Sequence, residues 1–119
     1  MSGLLASVLT ALILTLVIEA GVVAFLCRES RGTWLLMSAA CNLATNPGLN
    51  IVLSAVRRYG GLPLYTAAFL ALEALAVLAE AGLYRIGTGA PFRRCMIVSA
   101  AANAASMLCG IAAELALTA

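Results

Sequence analysis

RRYGGLP (Arg57–Pro63) stands between two long apolar runs, and its reading decides how many helices the chain contains. Two arginines, a tyrosine, a glycine pair and a proline read as a break between elements. The runs on either side are each long enough to cross a bilayer, which takes about 20 helical residues. RESRGT (28–33) and the stretch around GTGAPFRR (87–94) are two further breaks. Four apolar runs result, at about 3–27, 34–56, 64–87 and 95–118.

Composition sets the class. The 119 residues are 64% hydrophobic, with seven Arg, five Glu and no Lys, Asp or His. The mean hydropathy is +1.08. A water-soluble fold needs more polar surface than this. The sequence therefore predicts an all-α polytopic membrane protein, four transmembrane helices in one domain over 1–119, with no room for a separate soluble domain. Trp34, Tyr59, Tyr65, Tyr84 and Phe92 fall near run ends, as an interfacial aromatic belt requires. A transmembrane β-barrel is disfavoured by long runs without alternation. The first run is too long for a cleaved signal peptide, lacks a preceding basic residue and contains Glu19. No lipidation motif is visible.

Arginine orients the chain. Arg28, Arg31, Arg85, Arg93 and Arg94 gather at the first and third breaks, and only Arg57 and Arg58 at the second. The positive-inside rule then predicts the first and third breaks in the cytoplasm and both termini outside. The pair Arg93-Arg94 also suits anionic lipid heads.

A shift of 61 residues aligns Glu19-Ala20-Gly21 with Glu80-Ala81-Gly82 and SAACNLAT (38–45) with SAAANAAS (99–106). Two readings stand: duplication of a helical hairpin, or coincidence in an alanine-rich chain. Duplication predicts halves 1–58 and 62–119 arranged as two parallel-repeat hairpins, related by an axis along the membrane normal.

Spacing then predicts a polar layer. Glu19 and Asn42 are 23 residues apart around the first break, as are Glu80 and Asn103 around the third. In an antiparallel hairpin such pairs share a depth. Each Glu lies about eight residues before its turn, so roughly 12 Å from the helix end. An ionised, unpaired carboxyl there is costly and must hold a proton or meet water or a cation. An amide can donate to a carboxylate or accept from a carboxylic acid. Small residues around each Asn allow the helices to approach closely.

The two copies differ. Glu73 lies two helical turns before Glu80, on the same face and near mid-membrane. Thr45-Asn46-Pro47-Gly48 predicts a kink or break in the second run. Asn42, Asn46 and Asn50 share one broad face. Carbonyls freed at Pro47 would form an ion or substrate position, or be satisfied by neighbouring side chains. The fourth run carries eight Ala, with Ser99, Asn103 and Ser106 along one face, and should pack against helices. Glu114 is expected at the outer interface without a special role. Cys27, Cys41, Cys95 and Cys109 lack C-x-x-C spacing and read as small packing residues.

Glu19, N-L-A-T-N-P (42–47), E-A-L-A-V-L-A-E-A-G-L-Y (73–84) and N-A-A-S (103–106) together span most of the chain. In this order they resemble a group of small, uncharacterised bacterial four-helix membrane proteins, a resemblance that implies a bacterial cytoplasmic membrane and carries no function. The chain is only loosely similar to small multidrug-resistance transporters, whose pattern its later helices do not follow.

Three functional classes remain. The first is a transporter or channel for a proton or small cation, acting as a homo-oligomer or with a membrane partner. Its site would be Glu19, Asn42, Thr45, Asn46, Glu73, Glu80, Asn103 and Ser106. Hard oxygen ligands suit Na⁺, Ca²⁺ or Mg²⁺. Without His, and with Cys in no ligand motif, zinc, copper and haem sites are disfavoured; without Lys, a retinal Schiff base is excluded. The second class is a non-catalytic assembly subunit whose Glu–Asn pairs hold it together. The third is an intramembrane enzyme with Glu73 or Glu80 as general acid or base, for which no nucleophile–base arrangement is visible. Nothing in the sequence points to nucleic acid.

Overall fold

Two tight reversals set the helices side by side. The computed structural model describes the backbone of residues 2–118; the side chains of residues 2, 4, 114, 117 and 118 lie outside the described set. Three helices run from Ser2 to Leu26 (α1), Arg31 to Thr88 (α2) and Phe92 to Thr118 (α3). All three are long and apolar enough to cross a membrane, over Leu5–Leu26, Arg31–Thr88 and Phe92–Ala113.

Local chemistry explains the reversals. Ser30 adopts the left-handed conformation (φ 52°), and its carbonyl accepts from the amides of Thr33 and Trp34 at 3.0 and 3.2 Å. Gly89 ends α2 in the same region (φ 69°), donating to the Arg85 carbonyl at 3.0 Å. That is an αL cap, which favours glycine. Pro91 follows, and its carbonyl accepts from Cys95 in the first turn of α3. Arg85 Nη1 reaches over this corner to the carbonyls of Gly89 and Ala90, both at 2.8 Å.

The expectation of four helices in two repeat hairpins is corrected here. RRYGGLP is not a loop: α2 runs through it as one element of 58 residues. Helical dihedrals fail only at Gly61 (φ 78°, ψ 176°). A straight helix of that length would measure roughly 87 Å at 1.5 Å per residue, against a longest molecular dimension of 42 Å. So α2 turns back on itself at Gly61, with arms 31–60 and 62–88. Pro63 falls in the first turn of the second arm, where its missing amide is not needed. At their far ends the arms touch: the Trp34 and Tyr84 rings lie 4.8 Å apart. A Cβ on Gly87 would come within 2.6 Å of Met37 Sδ, so the Met37 side chain would have to move to admit one.

Packing is uneven along the bundle. At the end carrying Ser30 and Gly89, Val23, Cys27, Trp34, Ala81, Tyr84, Cys95, Val98 and Ala102 form a closed core. Elsewhere large apolar side chains point outward, among them Val17 (66% exposed), Leu70 (58%) and Leu108 (61%). So much outward apolar surface matches lipid rather than water.

Gly61 occupies a backbone region essentially closed to other residues, at a cost of about 1–3 kcal/mol. Gly61→Ala is expected to lower the melting temperature of the detergent-solubilised protein. Gly48→Ala, in a helical position with open space around it, should leave it unchanged or raise it slightly. Equal melting of both variants would remove Gly61 as the hinge of α2.

Candidate functional site

Two acids meet inside the bundle. Glu19 of α1 and Glu80 of the second α2 arm are each 1% exposed. Their carboxyl groups are hydrogen-bonding neighbours. A hydrogen bond from one carboxyl to another requires a proton on the donor, whether the acceptor is an acid or a carboxylate. Asn42 Nδ2 donates to Glu19 Oε1 at 3.3 Å and to the Ser38 carbonyl at 3.0 Å. Tyr84 Oη donates to Glu80 Oε1 at 2.7 Å, and Asn103 also reaches Glu80. Glu80 thus receives more donors than Glu19.

The surrounding bonds cross between helices. Ser99 Oγ of α3 donates to the Val77 carbonyl of α2 at 2.8 Å. Asn103 Nδ2 donates to the Ser99 carbonyl at 2.8 Å. Thr15 Oγ1 of α1 is 3.4 Å from Asn46 Nδ2 and 3.3 Å from Ser106 Oγ, linking all three helices. Among the described residues, no buried side-chain nitrogen or oxygen lacks a partner.

These groups floor and wall a cavity of about 630 Å³. It reaches from Ala6, Arg57, Tyr65 and Ile111, at the Gly61 end, down to Glu19 and Glu80. Beyond the floor lies the closed core with its Trp34–Tyr84 contact. At about 30 Å³ per water the space admits roughly twenty.

Glu19, Asn42, Thr45, Asn46, Glu73, Glu80, Asn103 and Ser106 all line this one cavity. Their roles differ. Thr45 Oγ1 bonds back to the Cys41 carbonyl at 2.8 Å. Asn50 Nδ2 ties to the Asn46 backbone and side-chain oxygens, each at 2.9 Å. Glu73 is half-buried, and no described residue hydrogen-bonds its carboxyl. Pro47 does not break the helix, because dihedrals around it stay helical. The expected break lies instead at Gly61. The Glu114 side chain falls outside the described residues.

Sequence reading missed Tyr84 and Thr15. Tyr84 was expected at an interface with lipid, yet it is fully buried and donates to Glu80. Both residues lie one helical turn from an acid: Tyr84 four after Glu80, Thr15 four before Glu19. Helical spacing from each Glu would have found them.

The arrangement offers oxygen ligands, a shared proton and room for water. Among the described residues, no three metal-ligating side chains of the His, Cys, Asp and Glu types cluster. Cys27, Cys41 and Cys95 are buried. Burial pushes the Cys27 thiol above its ordinary range, partly offset by the Arg94 guanidinium. Such a thiol is a poor nucleophile.

Removing the Tyr84 hydroxyl leaves Glu80 short of a donor in a buried site. Tyr84→Phe is expected to cost about 1–3 kcal/mol of stability, read as earlier unfolding in a denaturing-detergent titration. Tyr59→Phe, at an 81% exposed residue, should change nothing measurable. Equal curves would mean that the Tyr84–Glu80 bond contributes no net stability.

No protein-family model, curated protein or solved structure matches this chain.

Proposed function

We propose that the protein is a small integral membrane transporter or channel-type protein that handles a proton or small cation through its Glu/Asn polar layer. One observation carries this reading: a cavity of 630 Å³ is lined by two neighbouring carboxyls, Glu19 and Glu80, that are almost completely buried. Intramembrane acids facing a polar cavity mark ion or proton pathways by default, because their placement in lipid is expensive. Glu73, half-buried and without a hydrogen bond from the described residues, supplies the cation-facing charge. Glu19 and Glu80 hold the proton below it.

The arginine distribution supports placing the Ser30 and Gly89 corners in the cytoplasm and the Gly61 end outside. On that topology the cavity opens outward. A complete pathway then needs the Trp34–Tyr84 layer to move, or a second copy or membrane partner to extend the route.

The completeness of hydrogen bonding favours a second reading. Every buried polar side chain among those described has a partner, as an assembly subunit with structural Glu–Asn pairs would require.

Flux into proteoliposomes separates the two. A pH-sensitive dye and a panel of Na⁺, Ca²⁺ and Mg²⁺ gradients should show flux with wild type. Glu73→Gln keeps the shape but removes the charge, and should cut flux by roughly tenfold, the worth of one charge-assisted contact. Glu29→Gln, at an exposed corner, should not. Equal flux in all three removes Glu73 from the mechanism. No flux above empty liposomes in any gradient favours the assembly reading.

A further inference from the structure

A second cavity adjoins the first. It occupies about 200 Å³ between the second arm of α2 and α3, with a wall that is mostly carbon: Leu70, Ala74 and Val77 face Ala100 and Ala104 across it. Leu70, Ala74, Ala100 and Ala104 are all exposed, so the groove faces out of the bundle at the depth of the acids, where a bilayer would cover it. Glu73, Asn103 and Met107 line both cavities. The partition between the acid cavity and the outward groove is therefore one layer of side chains.

Three of its features restrict what fits. The 630 Å³ exceeds the room a bare ion needs and falls within the range of sites for small organic molecules, roughly 300 to 1,000 Å³. Nor does an ion need a carbon-lined groove beside its carboxylate. The polar wall near the partition is rich in oxygen acceptors: the Glu73 carboxylate, the Asn103 amide oxygen and the Ser106 and Thr15 hydroxyls. A primary ammonium, with three N–H donors and a positive charge, matches those acceptors and that acid.

We propose that the acid cavity takes the ammonium head of a single-chain cationic amphiphile, with its alkyl chain lying in the groove between the second arm of α2 and α3. The head is costly in hydrocarbon and the chain is not. This juxtaposition of acid cavity and carbon groove places each part in its own medium. Alanines at 74, 100 and 104 keep the groove open, and Met107, a flexible side chain, forms the movable part of the partition. The proposal rests on the reading of the cavity as a cation site and names the class of cation.

The test uses the full chain in nanodiscs of uncharged lipid, titrated with ethylammonium and with dodecylammonium. Comparing variant with wild type for each probe cancels partition of the amphiphile into lipid. Ala104→Leu fills the groove and should weaken dodecylammonium by about tenfold, the size of one overpacking clash, while leaving ethylammonium unchanged. Glu73→Gln should weaken both. If Ala104→Leu weakens neither probe, or both equally, the groove does not hold the chain and the cation cavity stands alone. If wild type binds neither probe, the cation reading falls as well. Should Ala104→Leu fail to fold, a dodecylammonium carrying a diazirine on its chain decides the matter with wild type. Labelling at Leu70, Ala74, Ala100 or Ala104 supports the proposal. Labelling confined to other lipid-facing residues, or a cross-link showing a second copy seated in the groove, overturns it.

Discussion

Two carboxyl groups taken out of water on neighbouring helices constrain everything else in this fold. Glu19 and Glu80 are buried almost completely, and each would be expensive alone. Each carboxyl has lone pairs that need donors. Asn42 from the first arm of α2, Tyr84 from the second and Asn103 from α3 supply the donors. Every long segment of the chain thus contributes to one cluster. Apolar contact alone would not fix the register of these helices, because lipid solvates leucine as well as another helix does. The polar cluster can.

The same cluster divides the bundle into two unlike halves. Toward Ser30 and Gly89, small and aromatic side chains close the interior completely, with Cys27 and Cys95 filling gaps and Arg94 lying 5.6 Å over the Trp34 ring. Toward Gly61, polar residues replace that filling and the helices part around an open space. Arg57 lies 5.8 Å over the Tyr65 ring at its rim. The acid pair lies where the polar space gives way to the closed core.

Much of this was legible from residue spacing. The equal 23-residue intervals from Glu19 to Asn42 and from Glu80 to Asn103 identify partners across two tight reversals, and those reversals carry the capping chemistry that marks them. The eight residues singled out from the sequence share one cavity because intramembrane polar groups have few stable places to go. The architecture around Gly61 was not legible. RRYGGLP has the composition of a loop, but one residue outside helical dihedrals is enough to reverse α2, and no pattern distinguishes that from a short linker. At Pro47, where the sequence allows a kink or a break, the backbone dihedrals stay helical, so there is no break. Tyr84 was placed by its position near a run end, whereas its spacing from Glu80 was the stronger signal.

The central claim is that water enters from the Gly61 end and stops at the Glu19–Glu80 pair. Thiol accessibility tests it most directly, with single cysteines introduced at Thr10, Asn46 and Ser38 in a chain whose four native cysteines are replaced. A charged, membrane-impermeant thiol reagent is applied to either face of oriented vesicles. The account predicts that cysteines at Thr10 and Asn46, in the cavity wall, react from the Gly61 face alone. A cysteine at Ser38, buried in the first arm of α2 at 3% exposure, should react from neither. Protection of all three, or reaction at Asn46 only from the face carrying Ser30 and Gly89, would contradict it.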